Sequence, residues 1–291
     1  MSAEPAPGDP RDEYASLLRA AVARLELERS FGIEAWKLPS LDPQKLRVPS
    51  CESRVVESAI RNPQPETPSP PAPPPSSPAP VQHVATESKV DMFQSKDYDI
   101  QIPEGLSKQE QLDHFARCIS NCTLCPLHVG RTQVVFGVGN PDADLMFVGE
   151  APGHDEDVEG IPFVGRAGQL LTKIIEAMGF RRDEVYIANV NKCRPPNNRA
   201  PLPEEMDRCR PFLLRQLDII QPKVICLLGA TAVRGLLHSK ESITRIRGSF
   251  IEWRGIRVMP TFHPAYLLRS PNEKRKVWED VQKVRDFVRG A

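Results

Sequence analysis

Leu145-Met146-Phe147-Val148-Gly149-Glu150-Ala151-Pro152-Gly153 is the stretch whose reading decides the fold. Four apolar residues in a row suit a strand buried on both faces, and Gly149 ends it in a loop whose first polar group is Glu150. Outward from it, residues 170–178 carry helical apolar spacing, and Val185-Tyr186-Ile187-Ala188 is a second strand. Residues 204–219 form a helix introduced by Pro201 and Pro203. Val224-Ile225-Cys226-Leu227-Leu228 is a third strand that runs through Gly229 into a helix, and Ile256-Arg257-Val258-Met259 is a fourth. Strands alternating with helices predict an α/β fold of three layers, with a central, mostly parallel sheet flanked by helices. Such sheets take ligands beyond the carboxyl ends of their strands. Glu150, Asn189 and His263 all fall there.

The 291 residues are unevenly globular. In residues 62–80 about half the positions are proline, which leaves few backbone donors and no core to bury. Three regions are expected: an N-terminal arm over 1–60, a stiff, disordered proline-rich linker over 61–90, and a domain over 91–291 whose folded part starts near residue 106. Within the arm, residues 11–31 read as an amphipathic helix, with Tyr14, Leu17, Leu18, Ala21 and Leu25 at three- and four-residue steps. One helix cannot bury its own face, so the arm docks weakly on the domain, stays mobile, or binds a protein partner. No basic start leads into an apolar run, and no stretch has the ~20 apolar residues of a membrane span, so a cytoplasmic monomer is expected.

Seven cysteines would be an incomplete disulfide set, and disulfides rarely persist in the cytosol. Cys122-x-x-Cys125 joined by Cys193 and Cys209 reads instead as a metal or iron-sulfur site, and soft thiolates at this spacing leave zinc and iron-sulfur both open. Cys118 adds a second possibility. Cys118-x-x-x-Cys122-x-x-Cys125 matches the triplet of radical enzymes that cleave S-adenosylmethionine, although glycine-rich cofactor loops do not follow it.

Four motifs come in order: Gly149-Glu150-Ala151-Pro152-Gly153, Pro162-Phe163-Val164-Gly165-Arg166-Ala167-Gly168, Lys192-Cys193-Arg194-Pro195-Pro196 and His263-Pro264-Ala265-Tyr266-Leu267-Leu268-Arg269. Over about residues 118–278 the chain resembles the family-four uracil-DNA glycosylases, which carry a four-iron, four-sulfur cluster. The resemblance implies a uracil-DNA glycosylase-like fold and a [4Fe-4S] cluster on Cys122, Cys125, Cys193 and Cys209, leaving Cys118 surplus. It implies catalysis by Glu150 and His263 and brings in Glu156 as a second carboxylate, although Asp155-Glu156-Asp157 reads equally well as a solvated run. Base binding falls to Gly149, Ala151, Phe163 and Asn189. A related group that crosslinks to its abasic product has Gln-Pro-Gly after the first glutamate and a basic insertion bearing a histidine. Here Ala151-Pro152-Gly153 follows, and Arg194-Pro195-Pro196-Asn197-Asn198-Arg199 has neither histidine nor a long insertion. Asn198 stands where a glycine-like residue is expected.

The chemistry follows from these residue types. A base must leave the duplex to be cut, and Phe163 would stack on it. The Asn189 amide offers a donor and an acceptor that match uracil and mismatch cytosine. His263 would donate to O2 of the departing base, and Glu150 would position water beside a cationic sugar. Lys192, Arg194 and Arg199 form an acid-free basic loop suited to phosphates, and the tail from residue 245 has about twice as many basic as acidic residues. Leu268 and Arg269 suit a wedge for the gap left by the base. With 38 basic and 38 acidic residues, the whole chain is not a general polyanion binder. The resulting expectation is a monofunctional hydrolase acting on uracil-containing DNA in base excision repair. The alternative is a non-catalytic iron-sulfur DNA-binding adaptor.

Overall fold

The computed structural model describes residues 100–290 and the backbone of the short strand Gln82–His83. The helix expected at 11–31 and most of the linker lie outside the described residues. Seven strands make one sheet: β1 (Gln82–His83), β2 (Val138–Gly139), β3 (Leu145–Gly149), β4 (Tyr186–Asn189), β5 (Val224–Leu228), β6 (Ile251–Trp253) and β7 (Ile256–Thr261). Their order is β1-β6-β7-β5-β3-β4-β2. The four central strands, β7, β5, β3 and β4, run parallel, whereas β2 pairs antiparallel to β4 and β6 antiparallel to β7. From β3 the chain crosses to β4 on one side and later returns to β5 on the other, so the switch point lies at the carboxyl end of β3.

Every residue of β3, β4 and β5 is buried, which explains their unbroken apolar runs. Successive side chains take opposite faces. Met146, Val148, Ala188, Ile225 and Leu227 pack with helices α1 (Lys108–Ile119), α4 (Pro203–Ile220) and α5 (Ala230–Leu237) through Phe115, Phe212, Leu213, Leu217 and Val233. On the other face lie Phe147, Ile187, Cys226 and Met259, and α8 (Lys274–Arg289) contacts β5 and β7. Helices α2 (His154–Glu159), α3 (Arg166–Ala177), α6 (Ile243–Ile246) and α7 (Pro264–Arg269) complete the set among the described residues.

Residues 111–122 read as a helix from the sequence, and helix α1 starts and ends three residues earlier, at Lys108 and Ile119. Ser107 caps it: its Oγ accepts the Glu110 amide while the Glu110 carboxylate accepts the Ser107 amide at 2.8 Å, a reciprocal pair that sets the first turn. Cys122 therefore lies in the loop after the helix, where it can turn toward Cys125. Among the described residues, no helix is long and apolar enough to cross a membrane.

Candidate active site and thiol chamber

The carboxyl ends of β3 and β4 meet in register, Gly149 beside Asn189. Past that point the chains stay joined, because the Val190 and Asn191 amides donate to the carbonyls of Gly149 and Glu150, each at 3.0 Å. A side chain on residue 149 would meet Asn189 Oδ1 at 2.4 Å and Phe163 Cζ at 2.5 Å, so only glycine lets the amide and the ring converge. Asn189 is 2 % exposed and its Oδ1 has no hydrogen-bond partner. A buried carbonyl oxygen left unpaired costs roughly 1–3 kcal/mol, which marks it as an acceptor awaiting a ligand donor.

Phe163 is buried and holds φ at +57°, a strained backbone for a bulky residue. Arg182 keeps it there. Its Nη2 donates to the carbonyls of Pro162 and Phe163 at 2.7 and 3.0 Å, and its Nη1 to Thr172 Oγ1 at 2.9 Å. The carbonyl of Phe163 also lies against Gly168, where a Cβ would come within 1.9 Å. Nothing local in the sequence marks Arg182 for this task, since its partners lie 10 to 20 residues away.

The His263 ring lies 5.6 Å from that of Phe163, centroid to centroid and tilted by 31°. His263 caps helix α7, its Nδ1 accepting the Ala265 amide at 3.1 Å. That bond assigns the proton of the neutral ring to Nε2, leaving Nε2 a donor. Burial, with Arg269 adding repulsion, pushes the imidazole down to about 4. Behind it, Gly229 at φ +91° packs so closely that a Cβ would lie 3.1 Å from that of His263. Glu150 is half-buried, and among the described residues its carboxylate makes no hydrogen bond or ion pair. Ala151 is likewise half-buried beside it.

Glu156 departs from the reacting role. Its Oε2 accepts the Gly153 amide at 3.0 Å and its Oε1 accepts the amides of Val164 and Gly165 at 3.1 Å each. The carboxylate therefore ties the Glu150 loop to the Phe163 loop. The solvated-run reading holds at Asp155, which is exposed, and fails at Asp157, which is buried and receives the Thr132 amide at 3.0 Å.

Cys122, Cys125, Cys193 and Cys209 border one cavity, whose walls are otherwise apolar (Leu124, Phe212) or cationic (Arg131, Arg208). Cys118 is exposed on α1, 3.5 Å from His114, and takes no part in the chamber. This removes the triplet of the radical reading. Arg131 donates to Cys193 Sγ at 3.2 Å and to the carbonyls of Cys122 and Ser120, and the Lys192 amide donates to Cys209 Sγ at 3.2 Å. Burial pushes the Cys209 thiol up to about 12, and Cys193 and Cys125 upward as well. Among the described residues, no three His, Cys, Asp or Glu side chains are grouped as a single ion would need. Four thiols bordering one cavity and supplied with N–H donors form a soft donor set of the kind that holds zinc or an iron-sulfur cluster.

Lys192 is a correction. It is 1 % exposed and cannot reach phosphate: its ammonium donates to the carbonyl of Asn189 at 2.9 Å and to Gln216 Oε1 at 2.5 Å. Gln216 in turn donates to the Phe136 carbonyl at 3.0 Å. Arg199 stays exposed, but its guanidinium is engaged by Glu205 in a two-pronged pair at 2.8 and 2.6 Å. Arg194 is half-buried, bonded to Asn198 Oδ1 and His154 Nδ1 at 2.7 and 3.0 Å, and Leu268 and Arg269 are exposed at the end of α7. Asn197 and Asn198 both hold φ at +54°, a backbone asparagine tolerates in place of glycine.

The family model for the Uracil DNA glycosylase superfamily matches residues 136–282. The chain belongs to the uracil DNA glycosylase superfamily. Within the superfamily it is 51 % identical over 187 residues to the type-4 uracil-DNA glycosylase of Thermotoga maritima, a match covering 63 % of this chain and 97 % of that protein. It is 44 % identical over 183 residues to the type-4 enzyme of Archaeoglobus fulgidus, covering 60 % and 92 %. To the type-5 uracil-DNA glycosylase of Pyrobaculum aerophilum the identity is 29 % over 188 residues, covering 53 % and 83 %. The type-4 resemblance read from the motifs stands, as does the superfamily fold; the adaptor reading is not favoured.

Proposed function

We propose that this chain is a monofunctional uracil-DNA glycosylase that takes uracil flipped out of DNA and hydrolyses its N-glycosidic bond, opening base excision repair. The observation that carries the reading is the buried, unpaired Asn189 Oδ1 beside the Phe163 ring. Uracil offers a donor at N3 and an acceptor at O4, whereas cytosine reverses both, so a wrong base leaves the amide buried and unpaired. Phe163 supplies a stacking face worth ~1–3 kcal/mol per base. Gly149 and Ala151 leave room for the ring plane.

Bond cleavage builds negative charge on the base and positive charge on the sugar. His263, neutral and donating from Nε2, stabilises the charge growing on O2 without giving up its proton beforehand. Glu150, with a free carboxylate, faces the sugar side, where it orients water and offsets the cation. Glu156 holds the two loops in place and does not react. Arg194, Arg269 and Leu268 are the proposed contacts to the DNA strand.

Cys122, Cys125, Cys193 and Cys209 are the proposed holders of a [4Fe-4S] cluster, which when bound supplies an anchor for three separate segments. Thiolates kept for a cluster need a reducing compartment, which supports a cytoplasmic setting. The enzyme is read as a monomer, with the N-terminal arm free for a protein partner.

The test is incubation of anaerobically purified protein with a uracil-containing oligonucleotide followed by alkali. A strand break at uracil and none in a thymine control is the expected result; an uncut strand from iron-loaded protein would overturn the reading. Iron and sulfide should each approach four per chain, survive Cys118→Ala and be lost in Cys193→Ala. Zinc without sulfide would sink the cluster assignment.

A further inference from the structure

We propose that Thr261 and Asp280, with Arg247, are positioning residues that hold His263 in place for the departing base. Asp280 lies on α8, is 1 % exposed, and is a buried carboxylate that the chemistry above does not use. Its Oδ2 accepts the Thr261 hydroxyl at 2.6 Å and Arg247 Nε at 3.0 Å, while Oδ1 accepts Arg247 Nη2. Thr261 is the last residue of β7, two before His263, and its carbonyl accepts the Gly229 amide at 2.8 Å. Thr261 is thus pinned through both its side chain and its backbone.

The next residues are held as well. The Arg247 guanidinium stands over the Phe262 ring at 5.6 Å, and Phe262 packs on Tyr266 at 5.1 Å. Gly248, at φ +77°, closes the corner: a Cβ there would lie 2.6 Å from Asp280 Oδ1, and its amide donates to the Pro260 carbonyl at 3.2 Å. One buried carboxylate therefore gathers α6, β7 and α8 around the two residues that precede His263. The carboxylate is fully engaged within the protein, so its effect on the reaction passes through His263. A shift of about 1 Å in a donor aimed at developing charge can cost up to about a hundredfold in rate.

The proposal rests on the reading of His263 as donor to the leaving base, and the experiment separates the two. Thr261→Val removes the hydroxyl at nearly constant shape, Thr261→Ser keeps it, and each is also built with His263→Ala. Single-turnover excision, DNA affinity and Tm are measured on the full-length protein. Thr261→Val should slow excision about tenfold with affinity within about twofold, and Thr261→Ser should restore most of the rate. In the His263→Ala background the valine change should add less than about twofold, because the group it positions is gone. Equal slowing in both backgrounds, or an unchanged Thr261→Val rate, would overturn the positioning role. An unchanged rate in His263→Ala alone would sink the reading of His263 and the proposal with it. Should the valine variant not fold, Thr261→Ala carries the same cycle.

Discussion

Asn189 Oδ1 and His263 Nε2, in the neighbourhood of the Phe163 ring, have opposite needs, one an acceptor without a donor and the other a donor without an acceptor among the described residues. Asn189→Asp keeps the shape and replaces the amide's donor with a second acceptor. Uracil excision in single turnover should fall by at least about a hundredfold, since a buried charge then faces the base without a partner. Unchanged excision would mean that Asn189 does not read the base. His263 makes a different prediction. With the folded ring near 4 and the unfolded ring at 6.5, the unfolded chain binds more protons between those values. Its contribution to stability is therefore complete above about pH 6.5 and is lost as the pH falls toward 4. The imidazole should give no limb to the rate profile between pH 6 and 9, and His263→Gln should flatten the Tm loss seen on acidification. His263→Ala should also lower the single-turnover rate by about 10²–10³ with DNA affinity nearly intact. A rate limb near neutrality that disappears in His263→Gln would show that the ring titrates there.

Segments rather than single residues set the thiol chamber, and Lys192 joins that chamber to the base pocket through its two ends. Its amide holds Cys209 and its ammonium holds the carbonyl of Asn189. Lys192→Met would leave the Asn189 carbonyl and Gln216 Oε1 without their buried donor, at roughly 1–3 kcal/mol each. Tm should drop by several degrees while the salt dependence of DNA binding stays as in the parent; a reduced salt slope would restore Lys192 to the phosphate-binding surface. The sequence could not show this, because a lysine followed by Cys193 and Arg194 looks like surface and its partner Gln216 lies 24 residues on. Glu156 misleads for the same reason, its partners being backbone amides that no side-chain pattern reveals. The central strands were legible to within a residue or two, since burial on both faces leaves an unbroken apolar run. The short outlying strands β2 and β6 were not, being two and three residues long. Gly149 was legible as a strand end, although its closeness to Asn189 and Phe163 appears only in the fold. Gly149→Ala should abolish excision with little change in Tm, as the added methyl displaces either the amide or the ring; activity within tenfold of the parent would show that the pocket can relax.

Across the whole molecule, the chain that makes the site is much shorter than the chain itself. The superfamily match lies within residues 136–282, and the Thermotoga maritima relative is covered over 97 % of its length while 63 % of this chain is used. Such a relative is nearly complete without a counterpart to over a third of these residues. Glu150, Asn189 and His263 lie at or directly after the ends of β3, β4 and β7, and these strands are interior to the sheet. Among the described residues, only the two-residue β1 comes from the first ninety positions, and it pairs with β6 at one edge of the sheet. Losing an edge pair of that length removes few hydrogen bonds and none near Asn189 or His263. Deletion of residues 1–90 should therefore leave excision of short oligonucleotides within a few-fold of full length, with iron content unchanged, while capture of a protein partner by the arm is lost. If the shortened protein keeps its iron and its Tm yet fails to excise uracil, the arm contributes directly to the site, and the boundary near residue 90 cuts through the enzyme.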